Sequence, residues 1–357
     1  MRVLVINAGS ATLKYKLVEV TGPALRILAH GRTELDGGYG EAVTTLLGRL
    51  PAEPEAVAHR CVHGGERFGA LAAITDAVIT ELEALIPFDP LHGEAALAGI
   101  RAARHLPVPQ VAAFDTAFHR TLPPVATRYA IPGDRQLHRY GFHGWSYQSI
   151  VERYAELTGT ASPSLIVLHL GNGASAAAIR DGRSVDTSMG LSPLEGLVMG
   201  TRPGDLDPGI VLELLREGHT HESLTDLLYR RSGLCALAGV ADLRPLLTRT
   251  DDAARLAVEL FCYRVRKYVG AYLAVLEGRL DALVFTGGIG EHASSIRRRV
   301  VEPFGWAGLV LGEDGDWVRE ERISAPASRV GVWVIPTREE ELIARETARR
   351  LEGPGDR

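Results

Sequence analysis

Four short polar motifs of this chain carry groups able to do chemistry. His59-Arg60-Cys61-Val62-His63-Gly64-Gly65-Glu66 sets an arginine between two histidines, and Ala112-Ala113-Phe114-Asp115-Thr116 ends an apolar stretch on a carboxylate. Tyr140-Gly141-Phe142-His143-Gly144 wraps a histidine in glycines, and Gly200-Thr201-Arg202-Pro203-Gly204-Asp205-Leu206-Asp207-Pro208 presents an arginine in a stiff loop. Three glycine-containing turns, at residues 7–10, 171–175 and 287–291, each follow an apolar run. Glycine lets backbone N–H groups approach an anion with no Cβ in the way, so such turns can cradle phosphates. Two arginines, a histidine, a carboxylate and phosphate-type turns together describe phosphoryl transfer.

Competing chemistries fit less well. The spacing of His59 and His63 would suit zinc on a helix face, but the following Gly-Gly and the lack of His-Glu-x-x-His speak against it and favour a role for Arg60. Gly171-x-Gly173-x-x-Ala176 and Gly288-x-Gly290-x-x-Ala293 resemble a dinucleotide fingerprint, yet the first is followed by a hairpin where that fingerprint opens a helix. No Gly-Lys pair exists for a Walker loop, and no Gly-x-Ser-x-Gly elbow accompanies the polar groups.

The elements that must position these groups read as alternating strands and helices. Val3 to Ile6 is a buried strand, stopped by Asn7-Ala8-Gly9-Ser10, after which Leu13, Tyr15 and Leu17 alternate with Lys14 and Lys16. The same grammar returns over residues 165–180, with an Asp181-Gly182 hairpin turn. Gly9 and Gly173 take matching places, which suggests two related domains joined near residues 146–162. A helix is expected from about residue 252 to 277, where Phe261, Val265, Val269, Tyr272 and Leu276 recur at helical spacing before Gly278. A buried strand over 280–285 then runs into the third glycine turn. This order predicts an α/β protein with ligands at the carboxyl ends of strands.

A length of 357 residues allows two domains, and 46% apolar with 23% charged residues is ordinary for a folded soluble protein. The net charge of −5 and the absence of a basic run argue against nucleic acid as a partner. Of 39 basic residues only Lys14, Lys16 and Lys267 are lysines, an arginine excess read mainly as composition and solvated surface. Cys61, Cys235 and Cys262 are too few and too scattered for a disulfide framework or a zinc motif. The opening apolar run is too short for a signal peptide and no run reaches eighteen residues, so the expectation is a cytoplasmic protein with no membrane partner.

Taken in order, the segments 3–14, 59–66, 114–119, 140–144, 169–175, 186–208 and 285–291 resemble the acetate kinase family over nearly the whole chain, most specifically from Asp186-Thr187-Ser188-Met189-Gly190 to Asp207-Pro208. The resemblance implies the acetate and sugar kinase, heat-shock chaperone and actin superfamily: α/β, two duplicated actin-like (ribonuclease-H-like) domains with a nucleotide cleft between them. Residues 1–147 with a C-terminal helix at about 343–357 would form the acceptor-side domain, and 148–342 the nucleotide-binding domain. The implied reaction is reversible, ATP-dependent phosphorylation of acetate to acetyl phosphate, with magnesium (or manganese) as cofactor and a homodimer as the assembly.

By motif, the resemblance assigns Asn7 and Glu339 to the metal and Lys14 to the nucleotide phosphates. His169-Leu170-Gly171-Asn172-Gly173, Asp242-Leu243-Arg244 and Gly288-Ile289-Gly290-Glu291-His292 would bind ATP or ADP. Arg60 would hold the acceptor carboxylate, with Val62, Leu91, Phe142 and Pro193 around its methyl group. Asp115, His143, Arg202 and Arg60 would be the catalytic set, His143 and Arg202 stabilising the phosphoryl group in transit. An acetate-like acceptor has a pKa of about 4.3 and is already ionised at pH 7, so no general base is required and Asp115 is expected to position Arg60 or the magnesium shell.

The chain departs from the family pattern at Ala11, Gly93-Glu94, Trp145, Tyr147, His292 and Arg338, and in a shortened stretch over about 30–56. These put acceptor choice and nucleotide affinity in question, and propionate or another short carboxylate is the alternative acceptor. A second alternative is an actin-like or chaperone-like ATPase switch, opposed by the Arg60 and Arg202 pair.

Overall fold

Val3, Leu4, Val5 and Ile6 are all shielded from solvent because the strand they form, β1 (Arg2–Ala8), is covered on both faces. The computed structural model describes residues 1–9, 12–90, 92–132, 137–312 and 320–353. They form two compact units: Met1–Phe118 with Phe142–Trp145 and the segment from Arg338, and His119–Gly141 with Ser146–Thr337.

In the first unit, β1 pairs antiparallel with β2 (Thr12–Thr21), which pairs with β3 (Ala24–Glu34). On its other side β1 runs parallel to β4 (Ala56–Cys61); β5 (Leu71–Ala73) and β6 (Gln110–Phe114) complete the order β3-β2-β1-β4-β6-β5. Side chains alternate across a strand, so each residue's parity decides its face. Val3, Val5, Val18, Val20, Ala56, Ala58, Val111 and Ala113 pack with Trp145 and with Leu342 and Ile343 of the C-terminal helix. Leu4, Ile6, Leu13, Leu17 and Val57 pack with Val43 and Leu46 of α1 (Gly38–Gly48) on the opposite face. Beyond them, α2 (Gly93–Ala103) packs its Ala96, Leu97 and Ile100 against Ala112 and Phe114.

The second unit holds β7 (Leu165–Leu170), β8 (Ala174–Arg180), β9 (Arg183–Thr187), β10 (Ala282–Thr286), β11 (Glu321–Arg322) and β12 (Gly331–Val334). Its order, β9-β8-β7-β10-β12-β11, repeats the first sheet strand for strand, with the same parallel and antiparallel pairings. The duplication read from one hairpin thus extends to all six strands, and the fold is α/β with two mixed six-stranded sheets.

Local chemistry sets the boundaries. Asp181 and Gly182, with φ of 51° and 76°, make the β8–β9 turn. Helix α3 spans Gly144–Thr158 and α4 spans Asp252–Val275, where the Asp251 side chain accepts from the Ala254 N–H and Glu277 and Gly278 end the run at positive φ. The short helix α5 (Gly287–His292) follows β10 directly, so the third glycine turn does open a helix. The last helix, α6, spans Glu339–Glu352, four residues earlier in onset than expected. No helix among the described residues is long and apolar enough to cross a membrane.

Candidate active site

The face of the first sheet that packs on α6 ends in polar residues. Counting by twos from its apolar members, Val3 and Val5 lead to Asn7, Ala56 and Ala58 to Arg60, and Val111 and Ala113 to Asp115. Asn7 is cross-strand from Lys14. Strand alternation therefore delivers Asn7, Arg60 and Asp115 to one edge of one face at the carboxyl ends of three parallel strands, with Lys14 beside Asn7 on the antiparallel β2.

Arg60 and Asp115 form a bidentate pair: Nε donates to Oδ1 at 2.9 Å and Nη2 to Oδ2 at 2.7 Å. Glu339, the buried first residue of α6, places Oε2 3.2 Å from Arg60 Nη2. Burial works against the Arg60 charge, but Asp115 and then Glu339 outweigh it and hold the guanidinium firmly protonated. Among the described residues Nη1 makes no hydrogen bond, so one edge of the fork stays open. Lys16, to which the sequence assigned no role, lies 3.2 Å from Glu340 and 3.0 Å from Glu341 and ties β2 to the α6 start.

His143 has φ of 58°, an uncommon conformation for a residue with a side chain. It is enforced by its neighbours. A Cβ on Gly144 would stand 1.9 Å from the Asp115 carbonyl oxygen, so the backbone of this loop lies directly on the residue that orients Arg60. Phe142 is buried with its ring 5.6 Å from that of His63. Gly144→Ala is expected to destabilise the protein by about 1–3 kcal/mol, the usual cost of overpacking, read as a lowered Tm in thermal denaturation; an unchanged Tm would contradict this docking.

His59 and His63 do not act together. Gln110 donates its amide N–H to the Ala103 carbonyl, which leaves Oε1 to accept from His59 Nε2 at 3.0 Å. Burial depresses the His59 pKa to about 4, so the ring is neutral at pH 7. Among the described residues, no group of three or more His, Cys, Asp or Glu is arranged to hold a metal.

In the second unit the first glycine turn meets two other segments at Gly200. A Cβ there would stand 1.9 Å from Asn172 Oδ1 and 2.8 Å from the Ala241 carbonyl, and its N–H donates to the Asn172 carbonyl at 3.0 Å. The turn at 171–173, the loop bearing Arg202 and the segment leading to Asp242 therefore meet at one glycine. A Cβ on Gly287 would meet the Leu170 carbonyl at 2.8 Å, which brings in α5 beside His169 and Leu170. Ser146 Oγ lies 2.8 Å from His169 Nδ1. Glu291 Oε1 accepts from the Gly287 N–H at 3.0 Å, and the buried Arg297 donates to the carbonyls of Gly290 and Glu291, so the turn around Gly288, Ile289 and His292 is fixed at both ends. Asp242 caps the turn starting at Leu243 and is bonded by Arg244, whose side chain is otherwise exposed.

Arg202 is buried and donates from Nη1 to the Pro193 carbonyl at 3.0 Å. Its loop is held by a residue the sequence reading passed over. Arg139 donates to the carbonyls of Thr187, Ser188 and Met189 and pairs with Glu195 Oε1 at 2.7 Å, while Tyr129 bonds the other Glu195 oxygen. Leu91 lies outside the described residues. Of the departures from the family pattern, Trp145 belongs to the α6 core and the Tyr147 hydroxyl lies 2.5 Å from Ser175 Oγ, so both serve packing.

Known proteins resemble this chain over nearly its whole length. The model of the Acetokinase family matches residues 40–345. Acetate kinase of Micrococcus luteus is 46% identical over 97% of this chain and 98% of its own. The crystal structure of Porphyromonas gingivalis acetate kinase is similar with a TM-score of 0.86 at 38% identity, and that of a propionate kinase from Francisella tularensis with 0.87 at 35%; each comparison covers 97% of this chain and 98% of the other. Two duplicated sheets, a paired Arg60 and Asp115 on one, a glycine turn meeting the Arg202 loop at Gly200 on the other, and these full-length similarities lead to one conclusion: the chain belongs to the acetokinase family.

Proposed function

We propose that this chain transfers the γ-phosphoryl group of ATP to acetate, forming acetyl phosphate and ADP. The observation that carries the reading is Arg60, charged, oriented by Asp115 and open along Nη1. A planar fork with one edge fixed and one edge open suits a carboxylate that must be aligned and not deprotonated. The acceptor oxygen attacks the γ-phosphorus, the β,γ-bridging P–O bond breaks, and ADP leaves with the electron pair. Since the acceptor is already an anion, the catalytic task is to bring two anions together, and Arg202 and His143 are assigned to the charge on the phosphoryl oxygens. Val62, Phe142 and Pro193 are assigned to the acceptor's methyl group, and the first and second units to acceptor and nucleotide respectively.

Magnesium suits the residues at hand. Asn7 offers an amide oxygen whose side chain makes no hydrogen bond among the described residues, and Glu339 a buried carboxylate on the same sheet face. Hard oxygen donors of this kind, one carboxylate plus nucleotide phosphates, are how proteins usually hold magnesium. Bound there, the ion would neutralise nucleotide charge.

The test is an acceptor series from formate to butyrate with Mg-ATP, trapping acyl phosphates as hydroxamates. Acetate is expected to give the highest kcat/KM, with propionate next, since one methylene is worth only about 1–3 kcal/mol. ATP turnover that ignores every carboxylate would overturn the reading and favour an ATPase switch.

A further inference from the structure

Strand register places Lys16 on the acceptor side of the first sheet. On β2 it stands opposite Val5, and Val5 stands opposite Ala58 on β4, so one row across the sheet joins Lys16 to the residue two before Arg60. Val5 and Ala58 both belong to the face that packs on α6. Cross-strand partners share a face, so Lys16 points toward α6 as Arg60 does.

The two cations meet the same helical turn. Arg60 Nη2 lies 3.2 Å from Glu339, and Lys16 Nζ lies 3.2 Å from Glu340 and 3.0 Å from Glu341. Together with the Asp115 pair, these contacts join two cations to four carboxylates, an excess of two negative charges in a partly buried cluster. Burial opposes the Glu340 charge, but Lys16 and after it Arg60 outweigh burial and hold the carboxyl below its usual range. Glu340 is therefore paired with Lys16 while its charge is felt at Arg60.

An excess of carboxylates suits a divalent cation at Glu339 and works against an acceptor that is itself an anion. Asp115 and Glu339 are committed to Arg60, and the charge on Glu340 and Glu341 is what Lys16 offsets. We infer that Lys16 sets acceptor affinity: by pairing with Glu340 and Glu341 it lowers the negative field at Arg60 so that a carboxylate can bind there. The inference rests on the reading of Arg60 as the acceptor's anchor. Lys16 acts through the carboxylates of α6, so its contribution falls on acceptor binding and not on the bond that forms.

The experiment measures kcat and KM for acetate at saturating Mg-ATP. Lys16→Met deletes the charge and keeps an apolar stem; it should raise the acetate KM by about threefold or more with kcat within about twofold of native. Lys16→Arg should keep a KM within about twofold of native, since it keeps the charge. Glu340→Gln should lower the KM, and the double variant Lys16→Met/Glu340→Gln should return it to near native, because the two changes cancel in charge. Added potassium chloride should narrow the gap between Lys16→Met and the native protein by screening. A mere fastening of β2 to α6 predicts the opposite sign: Glu340→Gln would cut the same fastening and raise the KM, and the double variant would be no better than Lys16→Met. Glu340→Gln carries its own signed prediction should Lys16→Met fail to fold. An unchanged acetate KM in folded Lys16→Met, or a raised KM in Glu340→Gln, would overturn the inference alone. A native protein that phosphorylates no carboxylate would overturn the Arg60 reading beneath it.

Discussion

Arg202→Ala is expected to lower kcat by on the order of 10³, the low end for removal of an arginine that stabilises a phosphoryl transition state. The side chain is 7% exposed and held by the Pro193 carbonyl, so it is placed before substrate arrives. The loop has little freedom to compensate. A Cβ on Gly204 would strike the Gly196 carbonyl at 2.5 Å, one on Gly233 would strike the Met199 carbonyl at 2.1 Å, and Arg139 secures the preceding residues through three carbonyls. Arg202→Lys should recover little, because an ammonium supplies charge without the planar fork. Steady-state kinetics of the two variants, with circular dichroism to confirm folding, checks this. A loss under tenfold in a folded Arg202→Ala protein would remove Arg202 from the chemistry.

How much of this could be read in advance depends on sequence distance. The strand ends Asn7, Arg60 and Asp115 are visible as polar stops after apolar runs, because alternation is local. That they share a face is not visible, since it depends on parallel pairing of β1 with β4 and of β4 with β6. Lys16 shows the same limit. The family motif drew attention to Lys14, while Lys16 takes its role from Glu340 and Glu341 at the far end of the chain. Gly144 and Gly200 read as turn residues, and only the nearness of the Asp115 and Ala241 carbonyls shows why no side chain fits there. The duplication was legible only in its first hairpin, because the matching edge strands β5 and β11 have three and two residues and no pattern to compare.

Asp115→Ala should be the more damaging change for the acceptor half of the site. Asp115 is buried and accepts both hydrogen bonds of Arg60, so its removal breaks a buried ion pair and leaves the guanidinium only partly compensated, at a cost of about 3 kcal/mol in stability. The remaining anion within reach is Glu339, at 3.2 Å. Arg60 is then drawn toward the carboxylate assigned to magnesium, and one substitution disturbs two binding functions. The expected result is a fall in kcat/KM of on the order of 10³ or more, as ΔΔG‡ of about 4 kcal/mol, with the KM for acetate and the magnesium concentration for half-activity both raised. Asp115→Asn keeps the shape without the charge and should lie between that variant and the native protein. A positioning carboxylate and a general base part company here. A positioning role predicts that Asp115→Asn acts mainly on acceptor KM, whereas loss of a base would act on kcat with KM unchanged. Kinetics in acetate and magnesium on the two folded variants decides it, and a pure kcat effect would reverse the assignment of Asp115.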